Sequence, residues 1–435
     1  MSLGSLGLSP QIVKAIQVKG YREATPIQEA LIPAILKGQD ILAGAQTGTG
    51  KTAGFALPIL HDLAEEKRVT HRLRAVVIVP TRELANQVFQ SFQDYGKYLS
   101  LKTVVLYGGA NMTAQRNRLE AGCDIIVATP GRLMEHLERK HLNAERLRYL
   151  VFDEADTILE LGFLNEVRRV IDFLPTKRQN ILISATLSGS VKRLANETLH
   201  KPKLIEIDSM GSLSKNVELV VYPVEKERKM ELLSYVIGSR NYQKVLVFVR
   251  KKEEADEVVT ELKLSGLKSM VIHGDKTSGA RTRALTAFKE DKIRVLVATD
   301  IAARGLDISN LEVVMNYDIP HVIGDFIHRI GRTGRAGNKG IAITLVSPKE
   351  EIALRDVEQL LGKQIKRIEI EDYAPKIEKE QRGARKREEK KKVDGAFGHK
   401  KRKVKTGKKR KTTKRDGFAE QAKSSKNRSS DAKRR

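Results

Sequence analysis

The chain has 435 residues, a single Cys (Cys123) and a formal net charge of +26. The length accommodates two or three domains with their own cores, and one Cys excludes an intramolecular disulfide and any Cys-rich metal site. With no signal-peptide pattern and no window near 18 uninterrupted apolar residues, the chain reads as a soluble, cytoplasmic protein. The charge is unevenly placed: residues 376–435 hold 17 Lys and 9 Arg against 8 acidic residues, so 18 of the 26 net charges sit in the tail.

In chain order, apolar positions at helical spacing run over residues 8–18, and Gly20-Tyr21 precede a helix entry at Thr25-Pro26-Ile27-Gln28. Pro26 suits a first helical turn. The apolar run Ile41-Leu42-Ala43 then leads into Ala45-Gln46-Thr47-Gly48-Thr49-Gly50-Lys51-Thr52, followed by a helical pattern. Strand, glycine-rich loop and helix in that order predict a phosphate-binding loop. Its backbone N–H groups surround phosphate oxygens, Lys51 reaches the β and γ phosphates, and Thr52 holds Mg²⁺. The pattern departs from the general form at its first position, where Ala45 replaces Gly. By itself the loop says nucleoside triphosphate.

Short apolar runs recur at 75–79, 103–107, 124–128, 149–152 and 180–183, separated by amphipathic helical stretches. Continuous apolar strands alternating with helices predict a parallel α/β sheet covered on both faces, with ligands at the carboxyl ends of its strands. Asp153-Glu154-Ala155-Asp156 stand at one such end. In a phosphate-loop protein a carboxylate there holds Mg²⁺ and a second orients water toward the γ phosphate, which assigns Asp153 to the metal and Glu154 to the water. Ser184-Ala185-Thr186 stand at another end and are uninformative alone.

Together Gln28, residues 45–52, Pro80-Thr81-Arg82-Glu83-Leu84, Gly108-Gly109, Thr129-Pro130-Gly131-Arg132, residues 153–156 and residues 184–186 occur in an order that resembles the DEAD-box RNA helicases. The resemblance implies that Gln28 reads the adenine edge while Tyr21 stacks on the base, chemistry that a carboxamide and a planar ring suit. It implies that Thr81, Arg82, Gly109, Thr129 and Arg132 touch one RNA strand, and that Ser184 and Thr186 couple the domains. Arg and hydroxyl donors suit phosphate and 2′-OH, and Gly permits close backbone approach. Leu3 stands where the family often has an aromatic, which implies weaker packing around the base.

Residues 208–216 are small and polar and predict a linker. Strand-helix alternation then restarts, with runs at 217–222, 245–249, 269–272, 295–298, 313–316 and 341–346 and no second phosphate loop, so one ATP per chain is expected. Two stretches, 298–307 and His328-Arg329-Ile330-Gly331-Arg332-Thr333-Gly334-Arg335, resemble second-domain motifs of the family. The resemblance makes Arg332 and Arg335 arginine fingers on the triphosphate, places Asp307 on the ribose and Thr299 on RNA, and links His328 to the nucleotide site. A guanidinium delivered to the γ phosphate offsets charge that develops in the transition state. The alternative is a basic RNA-binding loop with no catalytic part. Ser278 stands where many relatives have Gln, although Arg281 is kept, and Phe326 where Tyr is common. His273 reads as a structural strand-end residue.

The expected architecture is α/β: two tandem RecA-like parallel-sheet domains, 1–207 and 217–372, joined by a short linker and followed by a disordered Lys/Arg-rich tail, 373–435. The tail lacks the apolar content for a core, and its attraction to phosphate backbones rests on counterion release. Solubilisation or nuclear import are its blander readings. The resemblance implies a monomeric ATP- and Mg²⁺-dependent RNA helicase that unwinds locally. Its partners would be RNA and assemblies such as the ribosome or RNA-processing complexes, and no membrane. An ATP-gated RNA clamp is the alternative with the same residues; a DNA translocase fits less well.

Overall fold

The computed structural model describes residues 3–45, 49–65, 72–206, 217–303, 306, 308, 311–334 and 339–375. The expectations for Gln46, Thr47, Gly48, Asp307, Arg335, the linker and residues 376–435 lie outside this set.

Two seven-stranded sheets organise the chain. The first is built from β1 (Ile41–Gly44), β2 (Ala75–Ile78), β3 (Thr103–Leu106), β4 (Ile125–Ala128), β5 (Tyr149–Phe152), β6 (Gln179–Ser184) and β7 (Lys203–Glu206). The second comprises β8 (Val217–Pro223), β9 (Val245–Phe248), β10 (Ser269–Ile272), β11 (Val295–Ala298), β12 (Val313–Asn316), β13 (Gly340–Val346) and β14 (Lys366–Arg367). Their spatial orders are β3-β4-β2-β5-β6-β1-β7 and β10-β11-β9-β12-β13-β8-β14. Every pairing is parallel. Counting each sheet from its first strand gives the same permutation twice, so the second sheet repeats the first.

The physical cause is visible in the strands. β2, β4, β5, β9, β11 and β12 are buried at every residue. A strand covered on both faces needs an unbroken apolar run, which is why the sequence shows runs where a half-exposed sheet would show alternation. Helices on both faces complete the cores. In the first sheet, Phe55 and Phe92 lie on one side and Leu133, Ile158 and Val167 on the other.

β7 and β14 carry no such run. β7 is exposed at three of its four residues and β14 at both of its two. As edge strands they are fixed by backbone pairing with β1 and β8, and their sequences give no apolar signal. Tyr373, where the tail was expected to begin, is buried against the second sheet's core and its ring lies 5.5 Å from that of Tyr235. Among the described residues, no helix is long and apolar enough to cross a membrane.

Candidate nucleotide and nucleic-acid site

Strand order sorts the functional residues of the first sheet into two halves. The ends of β1, β6 and β5, adjacent in the sheet, carry the phosphate loop, Ser184-Ala185-Thr186 and Asp153. The ends of β2, β4 and β3 carry Thr81-Arg82, Thr129 and Gly108-Gly109. The motifs expected to hold nucleotide therefore lie side by side with those expected to hold nucleic acid, along one carboxyl edge.

On the nucleotide half, Lys51 opens the helix Lys51–Glu65, is 5% exposed, and donates from Nζ to the Ala45 carbonyl at 2.8 Å. Gly50 has φ +90° and a Cβ there would lie 2.4 Å from Gln28 Nε2, so both conformation and space require glycine. Gln28 lies in the first turn of the helix Pro26–Leu36. Its Oε1 accepts from the Thr25 N–H at 3.0 Å and its Nε2 donates to the Gly50 carbonyl at 3.1 Å. The carboxamide assigned to the adenine edge is thus also a tie between a helix entry and the phosphate loop. Tyr21 is 40% exposed, with its hydroxyl 3.4 Å from that of Tyr95. Leu3 is buried and lines a cavity of about 370 Å³ with Tyr21, Ile16 and Gly20, so the aliphatic side chain leaves room beside the ring expected to stack on the base.

Asp153 follows β5 and is 3% exposed. Its Oδ1 accepts from the Glu154 N–H at 3.1 Å. Burial pushes its pKa up to about 6, Lys51 pulling it down and Glu154 pushing it further up. A buried carboxylate held against its own tendency to protonate suits a cation. Mg²⁺ needs only one or two protein ligands beside phosphate oxygens and water, so Asp153 with the Thr52 hydroxyl fits it. Among the described residues no group of three or more His, Cys, Asp or Glu could hold a metal ion.

This burial has a consequence for stability. The folded pKa lies above the ordinary aspartate value of 3.8, so the folded state binds the proton more tightly, and stability falls as pH rises from about 4 to about 6. Asp153→Asn is therefore expected to raise the stability of the nucleotide-free protein at pH 7.5 by on the order of 2 kcal/mol. The gain should vanish near pH 4. Thermal melts of both proteins across that range check it, and a pH-independent difference would contradict it.

Glu154 adopts φ 54° and ψ 53° and caps the helix Ala155–Glu160. A non-glycine residue in the left-handed region is strained, and such strain concentrates at functional positions. Asp156 makes a contact that the sequence did not disclose. Its Oδ2 accepts from the Ala185 N–H at 3.1 Å, the Thr186 N–H at 2.8 Å and the Thr186 hydroxyl at 3.1 Å. The Asp156 N–H in turn donates to Ser184 Oγ at 3.2 Å. The acidic turn and the Ser184–Thr186 turn are consequently one rigid unit. Nothing in either short segment announces the pairing, because it depends on β5 and β6 being neighbours.

On the other half, Thr81 caps the helix Arg82–Tyr95 and Thr129 precedes Pro130 at the start of the helix Pro130–Glu138. Gly109 has φ +77°, and a Cβ there would fall 2.6 Å from the Arg82 guanidinium. Arg132 donates to the Ala110 carbonyl at 3.0 Å. Arg82, Gly109 and Arg132 therefore form one surface.

The second sheet contributes the buried Thr299 at the end of β11 and the helix Ile323–Ile330. Arg329, 1% exposed, spans Asp300 at 2.6 Å, Asn316 at 3.2 Å and the Asp318 carbonyl, fixing that helix to the ends of β11 and β12. Arg332 donates to the Leu306 carbonyl at 2.8 Å and is 7% exposed. His328 Nδ1 lies 3.6 Å from Asp325, and its Nε2 is buried without a hydrogen-bond partner among the described residues. His273 is held by Asp256 at 3.0 Å, in keeping with a structural role.

Contacts between the two sheets' domains among the described residues include an ion pair and a close approach. Arg281 Nη2 lies 3.2 Å from Glu83 Oε1, and a Cβ on Gly324 would lie 3.9 Å from Thr186. The first ties the helix Ser278–Lys289 to the start of Arg82–Tyr95; the second brings Ile323–Ile330 to the Asp156-bound turn.

Residues 25–194 match the DEAD/DEAH box helicase family and 228–337 the helicase conserved C-terminal domain. RhpA of Helicobacter pylori, a DEAD-box ATP-dependent RNA helicase, is 40% identical over 369 residues, covering 85% of this chain and 74% of RhpA. The ATP-dependent RNA helicase CshA of Listeria monocytogenes is 40% identical over 363 residues, 83% of this chain and 69% of CshA. Saccharomyces cerevisiae Dbp5, solved with RNA and ADP BeF3, superposes with a TM-score of 0.77 at 29% identity over 85% of this chain and 96% of that one. With family models matching both domains and relatives 40% identical over most of its length, the chain belongs to the DEAD-box ATP-dependent RNA helicases, a family of RNA-stimulated ATPases.

Proposed function

We propose that this chain couples the binding and hydrolysis of one ATP to local, non-processive unwinding of RNA duplexes or remodelling of ribonucleoproteins, as a monomer with domains at 1–207 and 217–372. What supports the reading is that one carboxyl edge carries, side by side, the residues expected to hold nucleotide and those expected to hold RNA, with the Asp156 clamp tying the ends of β5 and β6 together within the nucleotide half. Tyr21, Gln28, the loop 45–52 and Asp307 hold ATP. Lys51, Arg332 and Arg335 meet its phosphates, and Glu154 orients the attacking water. When bound beside Asp153 and Thr52, Mg²⁺ neutralises charge on the phosphate oxygens. Thr81, Arg82, Gly109, Thr129, Arg132 and Thr299 grip one strand through phosphate and 2′-OH, groups that carry no sequence. Ser184, Thr186 and His328 couple the two domains. A grip on one strand's backbone, closed by the second domain, cannot accommodate a straight duplex, so the duplex melts there.

A second sheet with the same strand order and no phosphate loop supports a single ATP site and short-range action. Strand displacement tests this: a short duplex should be released with ATP, while a long one with the same overhang should resist. Equal release with a non-hydrolysable analogue, without turnover, would favour the clamp. ATPase stimulation by RNA and not by single-stranded DNA would exclude a DNA translocase.

A further inference from the structure

The turn between β3 and the helix Met112–Glu120 is held from within by a chain of polar groups, buried at Gln115 and His136 and half-buried at His141, with no place among the motifs. Gln115, 3% exposed, donates from Nε2 to the Tyr107 carbonyl at 3.1 Å. Its Oε1 meets His136 Nε2 at 3.2 Å, and His136 Nδ1 meets His141 Nδ1 at 3.0 Å. His136 is fully buried on the helix Pro130–Glu138, one turn beyond Arg132.

The direction of this chain follows from its end. A carbonyl can only accept, so the amide nitrogen of Gln115 must face Tyr107 and its oxygen must face His136. His136 Nε2 therefore carries the proton. Its Nδ1 is bare and accepts from the Nδ1–H of His141. Burial, with His141, Arg132 and Arg139 adding to it, pushes the His136 pKa down to about 4, so the neutral ring that this pattern requires persists at neutral pH. Replacing the chain by apolar side chains would fill the space at lower desolvation cost. What apolar packing would not do is fix which way the Gln115 amide points.

We propose that Gln115 and His136 are positioning residues for RNA. His136 sets the polarity of the Gln115 amide, Gln115 holds the Tyr107 carbonyl, and the Gly108-Gly109 turn is thereby kept at the height where its backbone meets the strand. Arg132 supports the far side of the same turn through the Ala110 carbonyl. The inference rests on the reading of Gly109 as an RNA contact.

The test measures RNA half-saturation of the ATPase, RNA affinity by anisotropy, ATP KM, kcat at saturating RNA, and thermal melting, all on the full chain. His136→Leu is expected to raise the RNA half-saturation about fivefold, the worth of one hydrogen bond, with ATP KM and kcat at saturating RNA unchanged. Gln115→Glu sets an acceptor against the Tyr107 carbonyl and should raise it about tenfold or more. His136→Gln supplies an amide N–H in the same direction and should restore most of the affinity. Gly109→Ala tests the underlying reading separately. If it weakens RNA binding while the Gln115 and His136 variants behave as wild type, the positioning role is overturned and the turn's role stands. If all bind RNA normally, both fall. Parallel losses in RNA affinity, ATP KM and melting temperature, with no rescue by Gln, would reduce the chain to core packing.

Discussion

Glu154→Gln is expected to bind ATP and RNA as the wild type does while ATP turnover falls by about two to four orders of magnitude. The geometry isolates the carboxylate as the variable. Glu154 is 6% exposed, in a left-handed conformation at a strand-to-helix turn, and its N–H is bonded to Asp153. Gln has the same length and the same backbone preference, so turn, helix start and the Asp153 contact are retained. What is lost is an anionic acceptor able to polarise the attacking water and receive its proton. Single-turnover hydrolysis with preformed ternary complex measures this, with nucleotide and RNA titrations as controls. Near-normal turnover would remove Glu154 from the water, and a matching loss of ATP affinity would assign it to binding.

Much of the site was legible because its parts are contiguous and lie at the ends of fully buried strands. Ile41–Gly44 and Tyr149–Phe152 are apolar throughout, so the residues that follow them are marked as strand ends before any coordinates exist. What was not legible depends on strand order. That Asp156 clamps Thr186 follows from β5 lying beside β6, 30 residues away in sequence. That Glu83 meets Arg281 follows from one domain facing another. Gln115 and His136 were invisible for a different reason: a Gln on a polar helix and a His on an amphipathic one look like solvated positions until burial and partners are known. Gln28 was read for its reach toward a base, and the structure adds its second bond, to Gly50. Edge strands β7 and β14 escaped because they are paired through backbone and exposed through side chains.

Arg332→Ala is expected to lower kcat by about a thousandfold, within the range attributed to arginine fingers, while ATP affinity changes by less than about tenfold. The structure supplies the reason to expect such asymmetry. Arg332 follows a helix that Arg329 locks to Asp300 and Asn316, and its own guanidinium is anchored on the Leu306 carbonyl. A guanidinium has five N–H donors in a planar fork, so the bond to the Leu306 carbonyl that fixes its direction is compatible with engaging a phosphate. Such a group contributes where negative charge grows, in the transition state, and little to the ground state that ATP affinity reports. Arg332→Lys sharpens the test, because an ammonium keeps the charge and loses the planar fork. It should recover only a small part of kcat. Equal losses of ATP affinity and kcat in both variants would assign Arg332 to binding. A fall in melting temperature with loss of RNA affinity would assign it to holding the Leu306 turn, because that turn leads from Thr299 at the end of β11. Since the guanidinium and the phosphate loop belong to different sheets, the loss should appear in RNA-stimulated turnover and be small in the RNA-free rate, which isolates closure of the two domains as the step that Arg332 completes.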